Sequence, residues 1–342
     1  MISVRIGRKA PPALSLDVDF SVPPGVTALF GPEGAGKTMI TEAIAGFVKP
    51  DSGRILLDDV LLFDAASKIS VPPGKRGCAY VGSRCSLFPH MSVRANFAFA
   101  ALNSPRLERT RRVGEMLELF GLTARAAASP GELDQSERLR AELGRALLSS
   151  PRALLLDERP YSEALLRTVL QNFEGPVLMS TRDLDLCCAA AQSLILLDKG
   201  RILQRGAPAE VLDNPDSREA AALLNIPNIF ECCITALDPG RNTAKLEFEG
   251  FSLAAPYIRG HFRGDRITVA AKPADLRVHP GDTAGVENSV PAALIGVSAR
   301  ERYARLEFSG GIFADVTHEQ HEFLKSCVTW QVEFPSQALR VL

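Results

Sequence analysis

Residues 25–47 read GVTALFGPEGAGKTMITEAIAGF, and this stretch decides the fold of the first part of the chain. An apolar run that favours a β-strand leads into GPEGAGKT at positions 31–38, and a helix-prone run follows. These residues match the pattern G-x-x-x-x-G-K-[ST] in the strand–loop–helix context that the pattern requires. Glycines allow successive backbone N–H groups to turn inward around phosphate oxygens, and the helix N-terminus adds a positive dipole. The stretch therefore predicts a phosphate-binding loop in an α/β domain.

The side chains of this loop have distinct expected roles. Lys37 is predicted to reach the β- and γ-phosphates of a nucleotide, and the Thr38 hydroxyl is predicted to ligate Mg²⁺. The alternative is a glycine-rich turn that holds an unrelated lysine, and the complete motif in its proper context argues against it. The predicted nucleotide-binding residues are Gly31, Pro32, Glu33, Gly34, Ala35, Gly36, Lys37, Thr38 and Met39.

A second stretch, PRALLLDERP at residues 151–160, supplies acidic groups. A short continuous apolar run that ends in acid is typical of a buried parallel strand. Asp157 is predicted to hold the magnesium ion together with Thr38, and Glu158 is predicted to polarise the attacking water as the catalytic residue. The alternative is a core strand with two exposed acids at its end. The phosphate-binding loop favours the functional interpretation.

Composition limits the classes of protein to be considered. A chain of 342 residues with 46% hydrophobic and 23% charged residues is expected to form two packed domains. Its formal net charge of −1 provides no general attraction to nucleic acid or to an anionic membrane. No basic stripe with interleaved aromatic residues is visible, so nucleic acid is not an expected partner. Seven cysteines without metal-ligand spacing are interpreted as reduced thiols.

Between about residues 15 and 212 the chain resembles the ATP-binding subunits of ABC transporters, and among them the molybdate-import type. The resemblance rests on GVTALFGPEGAGKT, KPDSGRILLDDVLLFD, VPPGKRGCAYV, SLFPHMSVRANFAF, LGRALLSSPRALLLDE and DKGRILQRGAPAEVL, which occur in this order. It implies a P-loop NTPase fold of the ABC ATPase class, an α/β domain over residues 1–226 with a helical insertion at about 84–150. It also implies ATP and Mg²⁺ as cofactors and a dimer of ATP-binding subunits, identical or different. An integral-membrane permease, and indirectly a substrate-binding protein, are the further implied partners at the cytoplasmic face of the inner membrane.

In that family each ATP is shared, because the partner subunit caps it with a turn that resembles LSGGQ. Here the turn aligns with residues 133–137, where Asp134, Gln135 and Ser136 replace the family's serine and glycines. Side chains thus occupy positions where the backbone must approach phosphate closely, and Asp134 sets negative charge against a negative ligand. An acid at a helix start is a good cap, so the segment is predicted to be an ordinary helix N-terminus.

Two more positions depart from the resemblance. Ser83 aligns with the family's glutamine and is too short to replace it, and Arg182 aligns with the family's histidine. An arginine can contact a phosphate oxygen as a fixed cation but does not reproduce a neutral imidazole. Because removing one preorganised transition-state contact commonly costs ~2.7–4 kcal/mol, these changes predict retained ATP binding with slow or absent hydrolysis.

The last third of the chain changes character. Residues 229–342 contain short alternating runs separated by Gly, Pro and Asp, which predict an all-β OB-like domain, either a small antiparallel barrel or paired barrels. The stretches KLEFEGFSLAAP and RLEFSGGIFADV look like two copies of one strand–turn–strand unit. The domain resembles the TOBE or molybdate-binding type that importer ATPases carry. The stretch GVENSVPA keeps Asn288 and Pro291 of a turn that contacts the oxyanion in that type, although a plain dimer-stabilising barrel is the favoured interpretation.

Two functions of different classes follow. The first is an ATP-binding subunit of an importer for molybdate or a similar oxyanion, which couples ATP binding to movement of a membrane partner. The alternative is a non-hydrolysing, nucleotide-binding regulatory or scaffold protein derived from such a subunit. Turnover of ATP distinguishes the two.

Overall fold

The computed structural model of the chain describes residues 1–10, 14–82, 86–281, 283, 285–325 and 327–342. These residues form two compact units, Met1–Val211 and Leu212–Leu342. The sequence placed the domain boundary at residues 226–229, whereas the structure groups residues 212–226 with the second unit.

The first unit is built on one large sheet. Its strands are β1 (Ile2–Ala10), β2 (Leu14–Val22), β3 (Gly25–Phe30), β4 (Ser52–Leu57), β5 (Val60–Asp64), β6 (Ile69–Ser70), β7 (Cys78–Val81), β8 (Ala153–Asp157), β9 (Pro176–Thr181), β10 (Ser193–Asp198) and β11 (Arg201–Gly206). They follow the order β6-β5-β4-β1-β2-β11-β10-β3-β9-β8-β7. The neighbours from β10 to β7 are parallel, and those from β6 to β2 are antiparallel.

The parallel strands bring distant residues to one edge. Phe30 of β3 pairs with Thr181 of β9. On the other side of β9, Ser180 pairs with Asp157 of β8. Because the carboxyl ends of parallel strands meet at one edge, the residues that follow β3, β8 and β9 converge there. This is the edge at which ligands bind in open α/β sheets.

Helices cover the sheet and form an insertion. The helices are α1 (Lys37–Ala45), α2 (Val93–Ala100), α3 (Arg106–Leu119), α4 (Gln135–Leu148), α5 (Glu163–Gln171), α6 (Leu184–Ala190) and α7 (Pro208–Asp213). Apolar residues of α1, Ile40 and Ile44, pack into a core with Leu29, Leu155 and Leu178 of the sheet. Helices α2, α3 and α4 pack on one another between β7 and β8, within the range predicted for the helical insertion. Among the helices of the described residues, none combines the length and apolar character needed to cross a membrane.

The second unit is dominated by strands, and its described helices, α8 (Arg218–Leu223) and α9 (His318–Leu324), are short. Its strands are β12 (Asn228–Asp238), β13 (Thr243–Phe248), β14 (Phe251–Pro256), β15 (Arg266–Ala271), β16 (Arg277–Pro280), β17 (Ser289–Ala292), β18 (Leu294–Ala299), β19 (Ala304–Phe308), β20 (Ile312–Val316), β21 (Trp330–Glu333) and β22 (Arg340–Val341). They form three sheets in the orders β14-β13-β12-β15-β22, β16-β21-β17 and β18-β19-β20.

The two predicted strand–turn–strand units are present as the hairpins β13–β14 and β19–β20. These hairpins lie in two halves of the unit, β12–β16 and β17–β22, and the halves are joined by exchanged strands. β22 from the end of the second half pairs with β15 of the first, and β16 from the end of the first half pairs with β21 of the second. Phe230, Phe248, Phe308 and Phe334 from both halves enter a single hydrophobic core. The halves therefore form one folding unit.

Candidate nucleotide-binding site

The predicted phosphate-binding loop connects β3 to α1. Gly34 and Gly36 have φ angles of 77° and 106°, in the left-handed region that favours glycine. A Cβ atom on Gly31 would lie 2.2 Å from the Leu197 carbonyl oxygen, so only glycine fits there. The N-terminal N–H groups of α1 start directly at this loop, which gives it the partial positive charge that favours an anion.

Lys37 is the first residue of α1, and it is only 3% exposed. Its Nζ donates hydrogen bonds of 2.7 Å to the carbonyl oxygens of Gly31 and Pro32. The same atom lies 2.8 Å from Glu158 Oε1. The predicted phosphate-binding cation and the predicted catalytic carboxylate are thus neighbours, although they are distant in sequence.

Asp157 ends β8 and is fully buried. Its Oδ1 accepts hydrogen bonds from Ser180 Oγ and, at 3.2 Å, from Thr38 Oγ1, while Oδ2 accepts one of 3.0 Å from the Tyr80 hydroxyl. Burial and the adjacent Asp157 carboxylate raise the pKa of Tyr80, so its hydroxyl remains a donor. Carboxylate and hydroxyl oxygens are the ligands that Mg²⁺ prefers, so Asp157 and Thr38 fit the predicted metal role.

Glu158 occupies a strained position beside this carboxylate. Its φ angle is 36°, in a region that a non-glycine residue rarely adopts. Its backbone N–H donates to the Ser180 carbonyl oxygen at 3.1 Å and lies 3.3 Å from Ser180 Oγ. Sequence analysis missed Ser180 and Tyr80, because their importance comes from strand pairing and neither belongs to a motif.

Arg182 follows β9 and is brought to the phosphate-binding loop, as its alignment position implies. Its Nη1 lies 3.3 Å from Oε2 of Glu33, and both side chains are exposed. Ser83, the position aligned with the family's glutamine, lies outside the described residues.

The segment aligned with the signature turn begins helix α4, and the predicted helix cap is confirmed. Asp134 is the N-cap residue, and its Oδ1 accepts a hydrogen bond of 2.7 Å from the Glu137 backbone N–H. The Glu137 carboxylate accepts in return from the Asp134 N–H at 3.1 Å and pairs with Arg125 at 2.8 Å. Gln135 and Ser136 occupy the exposed first turn. The helix N-terminus is therefore already capped by an acid of the chain itself.

A buried ion pair connects α4 to the residue after Glu158. Glu142 is 1% exposed, and its Oε2 lies 3.1 Å from Nη2 of Arg159. The Ser86 backbone N–H donates to the other Glu142 oxygen at 3.2 Å, and Arg159 donates to the Gly82 carbonyl at 3.0 Å. Both ends of the segment 82–86 are thus attached to this pair.

A groove of about 420 Å³ lies beside Ser86. It is lined by Ala79, Tyr80, Ser86, Phe99, Arg145 and Ser149, among others. The Phe88 ring contacts Phe99 edge-on at 4.8 Å, and the Arg145 guanidinium lies 4.3 Å from the Phe88 ring centroid. Buried Asn96 holds the Phe88 backbone through its N–H and its carbonyl. Phe99 therefore lines the groove with a ring that packs against Phe88, and it remains 44% exposed.

In the second unit the structure does not support the predicted oxyanion turn. The Asn288 side chain accepts a hydrogen bond from the Ala254 N–H and donates to the carbonyl oxygens of Ala254, at 3.0 Å, and Phe334. Its amide donors are thus engaged with the main chain, which leaves none for an anion. Pro291 lies in β17 opposite Gln331. Asn228 contacts the main chain of Phe313 in the same manner, so both asparagines connect the two halves through main-chain hydrogen bonds.

Comparison with known proteins places these features in context. A family model described as ABC transporter matches residues 16–160. The chain is 31% identical over 298 residues to the molybdenum import ATP-binding protein ModC of Paramagnetospirillum magneticum, with 84% of this chain and 82% of the relative covered. It is 37% identical over 225 residues to the molybdate/tungstate import ATP-binding protein WtpC of Archaeoglobus fulgidus, with 63% of this chain and 90% of the relative covered.

Among solved structures, the ATP-binding cassette MJ0796, a dimer in a post-hydrolysis state bound to ADP and Pi, superimposes with a TM-score of 0.52. The match covers 61% of this chain and 99% of that chain at 18% identity. At this identity the similarity concerns the fold.

Proposed function

Because this chain belongs to the ABC transporter family of ATP-binding proteins, we propose that it is the ATP-binding subunit of an importer for molybdate or a closely similar oxyanion. The names of its relatives, molybdenum import and molybdate/tungstate import proteins, support this substrate class. The observation that carries the proposal is the convergence of Lys37, Asp157 and Glu158 at one edge of the parallel sheet.

Each group at this edge has a defined task in ATP binding. The N–H groups of the loop and the Lys37 ammonium bind phosphate oxygens. Thr38 and Asp157 would hold Mg²⁺, and the ion would supply positive charge to the phosphates. Glu158 orients the attacking water and accepts its proton.

Hydrolysis is expected to be slow. The Asp134 carboxylate occupies the N-terminus of α4, where the family needs bare backbone to cap a phosphate. In a homodimer both shared sites carry this change. A partner subunit with an intact signature turn would cap one of the two sites normally. Slow turnover then reflects weaker capping rather than weaker nucleotide binding.

The partners follow from the transporter family. A dimer of ATP-binding subunits, identical or different, would contact an integral-membrane permease at the cytoplasmic face of the inner membrane, and through it a substrate-binding protein. We assign the permease contact to the groove lined by Phe99, because this ring is exposed and is held by its contact with Phe88.

The test is single-turnover ATP hydrolysis together with nucleotide binding, for the purified protein and for its complex with the permease. Lys37→Ala is expected to lose nucleotide binding, and Glu158→Gln is expected to bind ATP without hydrolysing it. Wild type that binds ATP through Lys37 but hydrolyses none in either state would favour the regulatory or scaffold alternative.

The oxyanion is tested in the reconstituted transporter. Molybdate presented by the binding protein should stimulate hydrolysis more than sulfate does. Equal stimulation by the two anions would contradict the molybdate assignment and leave the ATPase assignment intact.

A further inference from the structure

Ser180 is a buried polar residue at the strand end that pairs with Asp157. It belongs to β9, whose residues are all buried, and its side chain is fully inaccessible to solvent. A buried hydroxyl is unfavourable unless it forms hydrogen bonds. The contacts that Ser180 forms are therefore informative about its role.

Those contacts join the two acids of the site. Ser180 Oγ donates to Asp157 Oδ1 and lies 3.3 Å from the Glu158 backbone N–H, which can donate to it. The Ser180 carbonyl oxygen accepts from the same N–H at 3.1 Å. One residue thus contacts both the carboxylate of Asp157 and the main chain of Glu158.

The first contact restrains the direction of the Asp157 carboxylate. Ser180 and, at 3.2 Å, the predicted metal ligand Thr38 donate to one of its oxygens, and the Tyr80 hydroxyl donates to the other at 3.0 Å. A carboxylate held at both oxygens cannot rotate freely about its own axis. Residues that orient a metal ligand in this way commonly affect metal affinity or activity by ~10–100-fold.

The second contact supports the turn that carries Glu158. At a φ of 36°, this residue persists only where its surroundings hold it. The hydrogen bonds between its N–H and Ser180 supply such support. Tyr80 contacts Asp157 but is not hydrogen-bonded to the Glu158 main chain in the described structure, so Ser180 is the group that couples the two acids.

We propose that Ser180 is a positioning residue that directs the Asp157 carboxylate toward Mg²⁺ and steadies the Glu158 turn. The inference rests on the proposed function, because it assumes that Asp157 holds Mg²⁺ together with the nucleotide. Without the Ser180 hydroxyl, metal-dependent binding should weaken, whereas contacts between the loop and the nucleotide phosphates should persist.

The experiment measures ADP affinity of the full-length protein by calorimetry, with Mg²⁺ and with a chelator. It also determines the Mg²⁺ concentration for half-maximal effect. For Ser180→Ala we expect this concentration to rise about tenfold. Metal-free ADP affinity should stay within about twofold of wild type, which also shows that the variant is folded.

A matched control exists in the neighbouring strand. Thr27 of β3 is also a fully buried hydroxyl residue, and its Oγ1 has no hydrogen-bond partner among the described residues. Thr27→Val should leave the Mg²⁺ dependence unchanged. Ser180→Cys, which keeps the size of the side chain but donates weakly, should fall between wild type and Ser180→Ala, and it serves as the test variant if Ser180→Ala does not fold.

The outcomes separate this inference from the proposed function. If Asp157→Asn loses the Mg²⁺ effect while Ser180→Ala and Ser180→Cys keep that of wild type, the role of Ser180 is overturned and nucleotide binding stands. If wild type shows no Mg²⁺-dependent nucleotide binding, both proposals fail. An equal effect of Thr27→Val would show that any change in the buried hydroxyls suffices, and this too overturns the assignment.

Discussion

Arg182 stands at the position of the family's histidine and replaces a neutral imidazole with a fixed cation. Strand pairing between Phe30 and Thr181 puts it next to the phosphate-binding loop, where it meets Glu33. Both side chains are exposed, and exposed ion pairs contribute little to stability. The Arg182 cation is therefore free to exchange Glu33 for a phosphate at small cost.

Arg182→Ala is expected to weaken ATP binding by about fivefold, or ~1 kcal/mol, because a partly screened cation is lost. ADP binding should change less, since the added γ-phosphate carries the charge that arginine would contact. Thermal denaturation should not shift measurably. Nucleotide titrations of Arg182→Ala and the charge-retaining Arg182→Lys test this expectation, and equal losses for ATP and ADP would contradict it.

At the residue scale, sequence analysis identified the groups that belong to contiguous motifs. Lys37, Asp157 and Glu158 were predicted because each sits in a short pattern with a known chemical use, and the structure brings all three together. Ser180 depends on pairing between strands that are far apart in sequence, so no local pattern marks it. Asn288 shows the limit of a motif, because the turn that suggested an oxyanion contact holds a side chain that is hydrogen-bonded to the main chain.

At the N-terminus of helix α4 the sequence predicts a capped helix start in place of the family's signature turn, and the structure has this cap. Asp134 and Glu137 form a reciprocal capping box at its N-terminus. The negative charge that satisfies the helix N–H groups is the same charge that would oppose a phosphate. Stability of this helix and capping of a nucleotide are therefore in competition.

Substitutions at Asp134 separate these two effects. Asp134→Ala removes the cap and is expected to destabilise the protein by about 0.5–2 kcal/mol. Asp134→Ser keeps a capping hydroxyl without the charge, so stability should be largely retained while ATP-dependent dimerisation and hydrolysis increase. Melting temperatures and single-turnover rates of the two variants distinguish the effects. A Ser variant that is as slow as wild type would show that the charge does not limit turnover.

The ion pair between Glu142 and Arg159 attaches α4 to the end of β8. Removing one partner of a buried pair leaves an uncompensated charge, so Arg159→Met is expected to cost about 3–5 kcal/mol. The double variant Arg159→Met with Glu142→Leu removes both charges and should recover most of that loss. Denaturation midpoints provide the measurement. Additive losses in the double variant would argue against the charge as the cause.

At the scale of the whole molecule, the sequence predicted the fold class and the β-rich character of the last third, because strand periodicity and motif order are local signals. It did not predict that each half of the second unit ends in the sheet of the other. The exchange depends on pairing between residues that are far apart in sequence, such as Val269 with Val341 and Val278 with Val332, and local patterns do not show it. The strands of this all-β unit lie in three sheets.

The asparagines that join the two halves provide a prediction for this unit. Asn228 is fully buried and makes two hydrogen bonds to Phe313, so Asn228→Ala should destabilise the second unit by about 2–4 kcal/mol. Asn288 is partly exposed, and Asn288→Ala should cost less. Thermal unfolding of the full chain tests the order. If wild type binds molybdate and Asn288→Ala specifically loses this binding, the result would support the prediction that Asn288 contacts an oxyanion.

The exchanged strand β22 also determines when the second unit can complete its folding during synthesis. Its backbone completes an edge beside β15, which leaves the ribosome much earlier, and the Leu342 N–H donates to the Thr268 carbonyl. The first unit has all of its strands long before this point and can fold while translation continues. The second unit must keep an open β-edge beside β15 until β22 emerges. A nascent chain stalled shortly before β22 should therefore combine a protease-resistant first unit with a second unit that remains sensitive to digestion.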